Sequence, residues 1–125
     1  MRPAVLFLLL LTTPAWAGWK NVGDDPLGTL YADTDGIVRD GSLVRMQWLL
    51  DYSSFRRMVE VGYFSQRTRA EFDCREARMR VLDVALLADH MGQGKEVYAD
   101  DSPRDWESVE AGSSADKLRA AACRR

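Results

Sequence analysis

The stretch Leu43-Val44-Arg45-Met46-Gln47-Trp48-Leu49-Leu50-Asp51 decides the fold class. Val44, Met46, Trp48 and Leu50 recur at every second position, with Arg45, Gln47 and Leu49 between them. Successive side chains of a strand point to opposite faces, so this pattern is a β-strand with one apolar side and one mostly polar side. A strand covered on one side only belongs to an antiparallel sheet. Residues 67–74 repeat the alternation: Thr68, Ala70, Phe72 and Cys74 share the side expected to be buried, and Arg67, Arg69, Glu71 and Asp73 share the other.

Working outward, Asp40-Gly41 has the residue types of a two-residue hairpin turn, which needs positive φ. Residues 37–39 lead into it from a turn at Asp35-Gly36. Residues 19–22 and 29–33 read as short strands separated by Gly23-Asp24-Asp25-Pro26. Residues 55–64 read as another strand, interrupted by Arg56-Arg57 and Gly62. Residues 78–88, rich in Val, Leu and Ala, fit helix or strand by periodicity, and their strand-like neighbours favour strand. A glycine-containing loop, His90 to Gly94, precedes a last short strand at 96–99. Residues 100–110 carry five acids against the single base Arg104 and read, with Pro103, as a loop. The final element is a helix, with Ser113 as N-cap and Asp116 at the third helical position. Ala115, Leu118 and Ala122 form its apolar stripe, and Lys117, Arg119, Arg124 and Arg125 favour its C-terminal half. The expected architecture is α+β: a single antiparallel sheet of about five to six strands with a C-terminal α-helix packed on one face.

At the amino end, Arg2 precedes an apolar run over residues 4–11, then Pro14 and the small-x-small sequence Ala15-Trp16-Ala17. This is the organisation of a secretory signal, and its apolar core is far shorter than the ~20 residues that span a bilayer. A signal over 1–17 leaves residues 18–125 as the mature domain, with no later transmembrane segment. Gly18 rather than Cys follows the cut, so no lipid is expected there. The expected location is the periplasm, the medium or the cell surface. In such an oxidising compartment the pair Cys74 and Cys123 reads as a disulfide. A metal site would require more Cys or His than His90, the sole histidine, supplies. A redox pair usually has C-x-x-C spacing, and these cysteines stand 49 positions apart.

The chain of 125 residues is too short for a TIM barrel. With 17 basic and 19 acidic residues and a net charge of −2, it has no global attraction to nucleic acid. Neither a glycine-rich phosphate loop nor a G-x-S-x-G elbow occurs. Asp33-Thr34-Asp35-Gly36 lacks the remaining acids of a calcium loop and reads as turn chemistry. A hydrolase would have to use His90, beside Asp89. No enzyme activity, metal or cofactor is therefore expected. The polar faces are more informative, because 14 of the 17 basic residues are Arg, the better residue for bidentate contact with carboxylates. Arg45, Gln47, Arg67, Arg69 and Glu71 make the candidate binding face; a solvated face with cross-strand ion pairs is the structural alternative.

Several segments in order resemble the surface-adhesin protein E family of bacterial exported proteins. They are Leu30-Tyr31-Ala32-Asp33, Ile37, Asp40-Gly41 and Val44-Arg45-Met46-Gln47-Trp48, then Ala70-Glu71-Phe72-Asp73-Cys74-Arg75-Glu76 and Arg78-Met79-Arg80-Val81-Leu82. Met91-Gly92, Val97-Tyr98, Trp106-Glu107-Ser108-Val109 and Lys117-Leu118-Arg119-Ala120-Ala121-Ala122-Cys123 complete the set, which covers residues 19–123. The resemblance implies an antiparallel sheet with a C-terminal helix pinned by the disulfide. It also implies binding of host or extracellular-matrix proteins, with self-association as a further mode. The expected function is that of a small exported adhesin-like binding protein with a protein partner. The alternative is a periplasmic factor that inhibits or scaffolds an envelope enzyme.

Overall fold

The structure is a computed structural model that describes Ala4 and residues 18–124. The signal read over residues 1–17 lies, apart from Ala4, outside the described residues, as does Arg125. Eight strands form where five to six were expected, and the α+β class holds. They are β1 (Lys20–Asp25), β2 (Gly28–Ala32), β3 (Val38–Asp40), β4 (Leu43–Met58), β5 (Val61–Asp73), β6 (Arg78–Leu87), β7 (Glu96–Asp100) and β8 (Glu107–Ser108). One helix, α1 (Ser114–Cys123), closes the described chain. All strand pairs are antiparallel, in the order β1-β2-β4-β5-β6-β7, with β3 on β4 and β8 on β6.

The decisive stretch is the first half of β4, and its register with β5 assigns every side chain to a face. Val44, Met46 and Trp48 lie opposite Phe72, Ala70 and Thr68, while Arg45 and Gln47 lie opposite Glu71 and Arg69. The apolar set forms the inner face. Leu30, Val44, Met46, Leu50, Phe72 and Met79 are buried there beneath Leu118 and Ala122 of α1.

The three separate strands expected between 43 and 74 are two long ones. Residues 55–64 do not form a strand of their own. They are the two arms of the β4–β5 hairpin, folded back at Val59-Glu60. Two features conceal this turn. No Gly, Asn, Asp or Pro marks it, since Val59 itself adopts φ 53°. A bulge between Asp51 and Arg56 also breaks the alternation that would have revealed continuity. Gly23 likewise is not a break but sits at a bulge inside β1, with φ 140°. The acidic segment is not all loop, because Glu107 and Ser108 pair with Met79 and Arg78.

The helix begins as its sequence indicates. The Ser113 hydroxyl accepts from Asp116 N at 3.1 Å, and the Asp116 carboxylate reaches back to Gly112 N at 2.9 Å. Polar contacts from four side chains then hold the α1 segment to the sheet beside its apolar stripe. Ser114 Oγ donates to Asp25 Oδ2, Lys117 Nζ to Asp24 O, and Arg119 Nε to Asp73 O. The Arg39 guanidinium donates to the carbonyls of Ala122 and Arg124, which the end of the helix leaves without intrahelical partners. Cys74 and Cys123 are bonded, with Cα atoms 5.6 Å apart, joining the end of α1 to the chain just after β5.

A helix of ten residues is marginal by itself, so the bridge is expected to decide whether α1 stays docked. Closing a loop of 49 residues is worth about 4 kcal/mol in the chain-entropy model. Cys74→Ser is expected to lower the unfolding free energy by that order and to open the C-terminal segment to proteolysis. Equal thermal stability with and without reductant would contradict this. A second expectation concerns Val59, whose side chain is 87% exposed and so contributes little packing. Holding an L-residue in the left-handed region costs roughly 1–2 kcal/mol. Val59→Asn is therefore expected to raise stability by about 0.5–1 kcal/mol, seen as a higher urea midpoint; an unchanged or lower midpoint would refute it.

Candidate interaction face

The outer side of the sheet, opposite α1, is divided in two. At one end the β6–β7 connection folds over it. Ser65, fully buried, donates to Asp89 O at 2.6 Å and accepts from Gly92 N at 2.9 Å. Asp51 Oδ1 accepts from Met91 N at 2.8 Å and lies 3.1 Å from His90 Nδ1. Leu49 is buried beneath this connection, with its Cδ1 lying against Gly92. His90, considered above with its neighbour Asp89, is thus paired with Asp51, 39 positions away.

The other end carries the candidate residues. Cross-strand register places Arg45, Glu71 and Arg80 in one row and Gln47, Arg69 and Asp83 in the next. Arg67 lies in a third row, between Leu49 and Ala85. All five candidates therefore share one side of the sheet. Their states differ. Arg69 is spent on Asp83, with Nε and Nη2 both 2.8 Å from Oδ2. Arg67 lies 3.5 Å from Glu96. Glu71, expected to be exposed, is buried, and Arg80 holds it with Nη2 at 2.9 Å and Nε at 3.1 Å. Arg45 is left with the far side of that same carboxylate, at 3.9 Å. Arg67, at 3.5 Å without a hydrogen bond, also keeps donors, but it shares a depression with Asp83, Glu96, Asp100 and Asp101. Arg45 is thus the cation of the set with both free donors and few acids around it. With Gln47, Arg69, Asp33 and Val38 it lines a shallow depression of about 360 Å³.

Asp73, also expected on the exposed side, is buried too. Its carboxylate accepts from the backbone N–H groups of Glu76 and Arg75 and from Arg78 Nε at 3.0 Å. The two amides, Glu76 first, hold its pKa below the ordinary carboxylate range, against the pull of burial and with help from Arg78. Trp106 closes this corner. Its ring stacks on the guanidiniums of Arg78 and Arg80, 4.4 and 5.0 Å from its centroid. The segment after β7 therefore lies against the outer face and screens Glu71 and Asp73. Nothing in the local sequence marks Arg78, Arg80, Asp83 or Asp51 as members of this face. Charges distant in sequence carry no local signal, and only the strand register brings them together. Asp33, read as a turn residue, fulfils that role by accepting from Gly36 N at 3.2 Å.

These features define a small α+β domain: an antiparallel sheet pinned to one helix by a disulfide, with a charged outer face. The chain belongs to the surface-adhesin protein E family, whose model matches residues 19–124. No curated protein sequence matches it. Among solved structures it is similar to crystal form II of Haemophilus influenzae protein E. That likeness has a TM-score of 0.70 at 13% identity and covers 96% of each chain. It is also similar to protein E from non-typeable Haemophilus influenzae, with a TM-score of 0.63 at 11% identity, covering 95% of this chain and 82% of the other. A further structure of Haemophilus influenzae protein E gives a TM-score of 0.63 at 14% identity, over 94% and 95% of the two chains. At such identities the likeness establishes the shared fold.

The buried Asp73 carboxylate yields a pH expectation. Its native pKa is lowered, so the stability it contributes is complete above the unfolded value of about 3.9 and is lost as pH falls through the lower native value. Unfolding free energy is expected to drop below about pH 4, and Asp73→Asn to flatten that acid limb while lowering stability at neutral pH. An acid limb of unchanged slope in the variant would show that other carboxylates carry it.

Proposed function

We propose that this protein is an exported, adhesin-like binding protein without enzymatic activity. It engages a protein partner through the open half of its outer face, around Arg45, Gln47, Arg67, Arg69 and Glu71. Family membership supports the adhesin-like class, and the export signal read in residues 1–17 supports a location outside the cytosol. The observation that carries the choice of face is the state of Arg45. Its nearest carboxylate is 3.9 Å away and is already engaged by Arg80, so its guanidinium can take a partner's carboxylate at modest desolvation cost. The neighbouring arginines face Asp83 and Glu96, which balance their charge. The partners proposed are host or extracellular-matrix proteins, the targets that the resemblance to surface adhesins implies.

Two measurements test this together: surface labelling of intact cells, and binding of the purified mature protein to immobilised matrix proteins. Arg45→Glu is expected to weaken binding about tenfold or more, chiefly through a slower association rate. Ala120→Glu, on the exposed side of α1, is expected to leave it unchanged. A protein confined to the periplasm that binds no matrix protein would overturn the adhesin reading and leave an envelope partner as the direction to follow.

A further inference from the structure

A second concavity, larger than the depression beside Arg45, lies between the start of β1, the 3₁₀ turn Thr34–Gly36 with β3, and the last turn of α1. It is a groove of about 800 Å³, within the range of ligand sites. Its apolar surface comes from Val22, Ile37 and Ala121, and its cations are Lys20, Arg39 and Arg124, against the single acid Asp35. None of these three cations makes an ion pair among the described residues, whereas the cations of the outer face do. Arg39 spends one nitrogen on the helix carbonyls, which fixes its guanidinium at the rim. Thr34 also lines the groove, and its hydroxyl is buried with no hydrogen-bond partner. A buried hydroxyl without a partner is costly and uncommon in a folded protein.

Two further observations narrow the occupant. β1 ends the strand order, so one of its edges has no neighbouring strand among the described residues. Lys20 and Asn21, which precede the bulge and point to opposite sides of β1, both line the groove, so the groove meets β1 along its edge rather than on one face. An open edge offers backbone donors and acceptors to an extended segment, the basis of recognition by strand addition.

We propose that this groove binds an extended acidic peptide segment that adds as a strand to β1. Its carboxylates meet Lys20, Arg39 and Arg124, and its apolar side chains lie on Val22, Ile37 and Ala121. This site is separate from the outer face and does not depend on the function assigned to it.

The probe is a fluorescein-labelled, amidated octapeptide of alternating Glu and Val, titrated with the mature protein and followed by fluorescence anisotropy. Saturable binding that weakens as salt rises is expected. Lys20→Glu combined with Arg124→Glu is expected to weaken it about tenfold or more, while Arg45→Glu on the outer face leaves it unchanged. The same Glu–Val octapeptide N-methylated at every peptide nitrogen keeps the charge but loses all N–H donors, and is expected to bind about tenfold or more weakly than the Glu–Val probe. Intact far-ultraviolet circular dichroism and a protected disulfide establish that each variant is folded. The proposal is overturned by any of four results: no saturable binding of the Glu–Val probe, equal binding of a Lys–Val peptide, equal binding of the N-methylated peptide, or loss on Arg45→Glu rather than on the groove substitutions.

Discussion

The ladder between β4 and β5, running from Leu43 opposite Asp73 to Met58 opposite Val61, is the constraint on which the other features depend. Because side chains alternate along a strand, this single register sets both surfaces of the molecule. It sends Val44, Met46, Phe72 and Ala70 toward the helix, and Arg45, Gln47, Arg69 and Glu71 away from it. A slip of one residue would bury four polar side chains without partners and expose the core, so the apolar pattern and the pairing enforce each other. The next strand continues the same rows. Arg80 arrives beside Glu71 and Asp83 beside Arg69, which places a counter-charge where each is required.

The helix is secured by a different kind of interaction. A ten-residue segment with Leu118 and Ala122 as its deeply buried residues covers little apolar area, so burial alone holds it weakly. The covalent link at Cys123, the Arg39 contacts to the terminal carbonyls and the Arg119 contact to Asp73 O all act near its C-terminal half. The Ser113 cap and the Ser114 contact to Asp25 hold its start. Asp73 belongs to both systems. Its backbone carbonyl receives α1, and its carboxylate organises the turn after β5 and one end of the outer ion-pair rows. Thus the helix, the disulfide and the charged face meet within a few residues of Cys74.

On the outer face the arginines are mostly occupied, which alters what abundance of arginine signifies. Arg69, Arg78 and Arg80 are structural: they satisfy acids at or beneath the surface, and two of them stack under Trp106. Surface ion pairs of this kind contribute little to stability individually, and their larger effect is to hold side chains in one arrangement. The cations on which the two proposals rest are those less fully engaged by acids. Arg45 is one on the outer face; Lys20 and Arg124 are others, on the far side of the sheet.

The sequence by itself determined the fold class, the inner apolar set, the helix with its Ser113 cap and the pairing of the two cysteines. Each is written in local periodicity or in residue chemistry that needs no knowledge of distant neighbours. It also placed Arg45, Gln47, Arg67, Arg69 and Glu71 on one side, because period-two alternation survives wherever a strand is unbroken. Only the tertiary structure decided that residues 55–64 are a hairpin rather than a strand, because Val59 takes a left-handed turn that its side chain disfavours and nothing local announces. Only the tertiary structure separated Arg45 from Arg69, joined His90 to Asp51 and buried Glu71 and Asp73. Those outcomes depend on which strand lies beside which and on a loop folding over them. They are through-space distances between charges, and a linear pattern does not contain them.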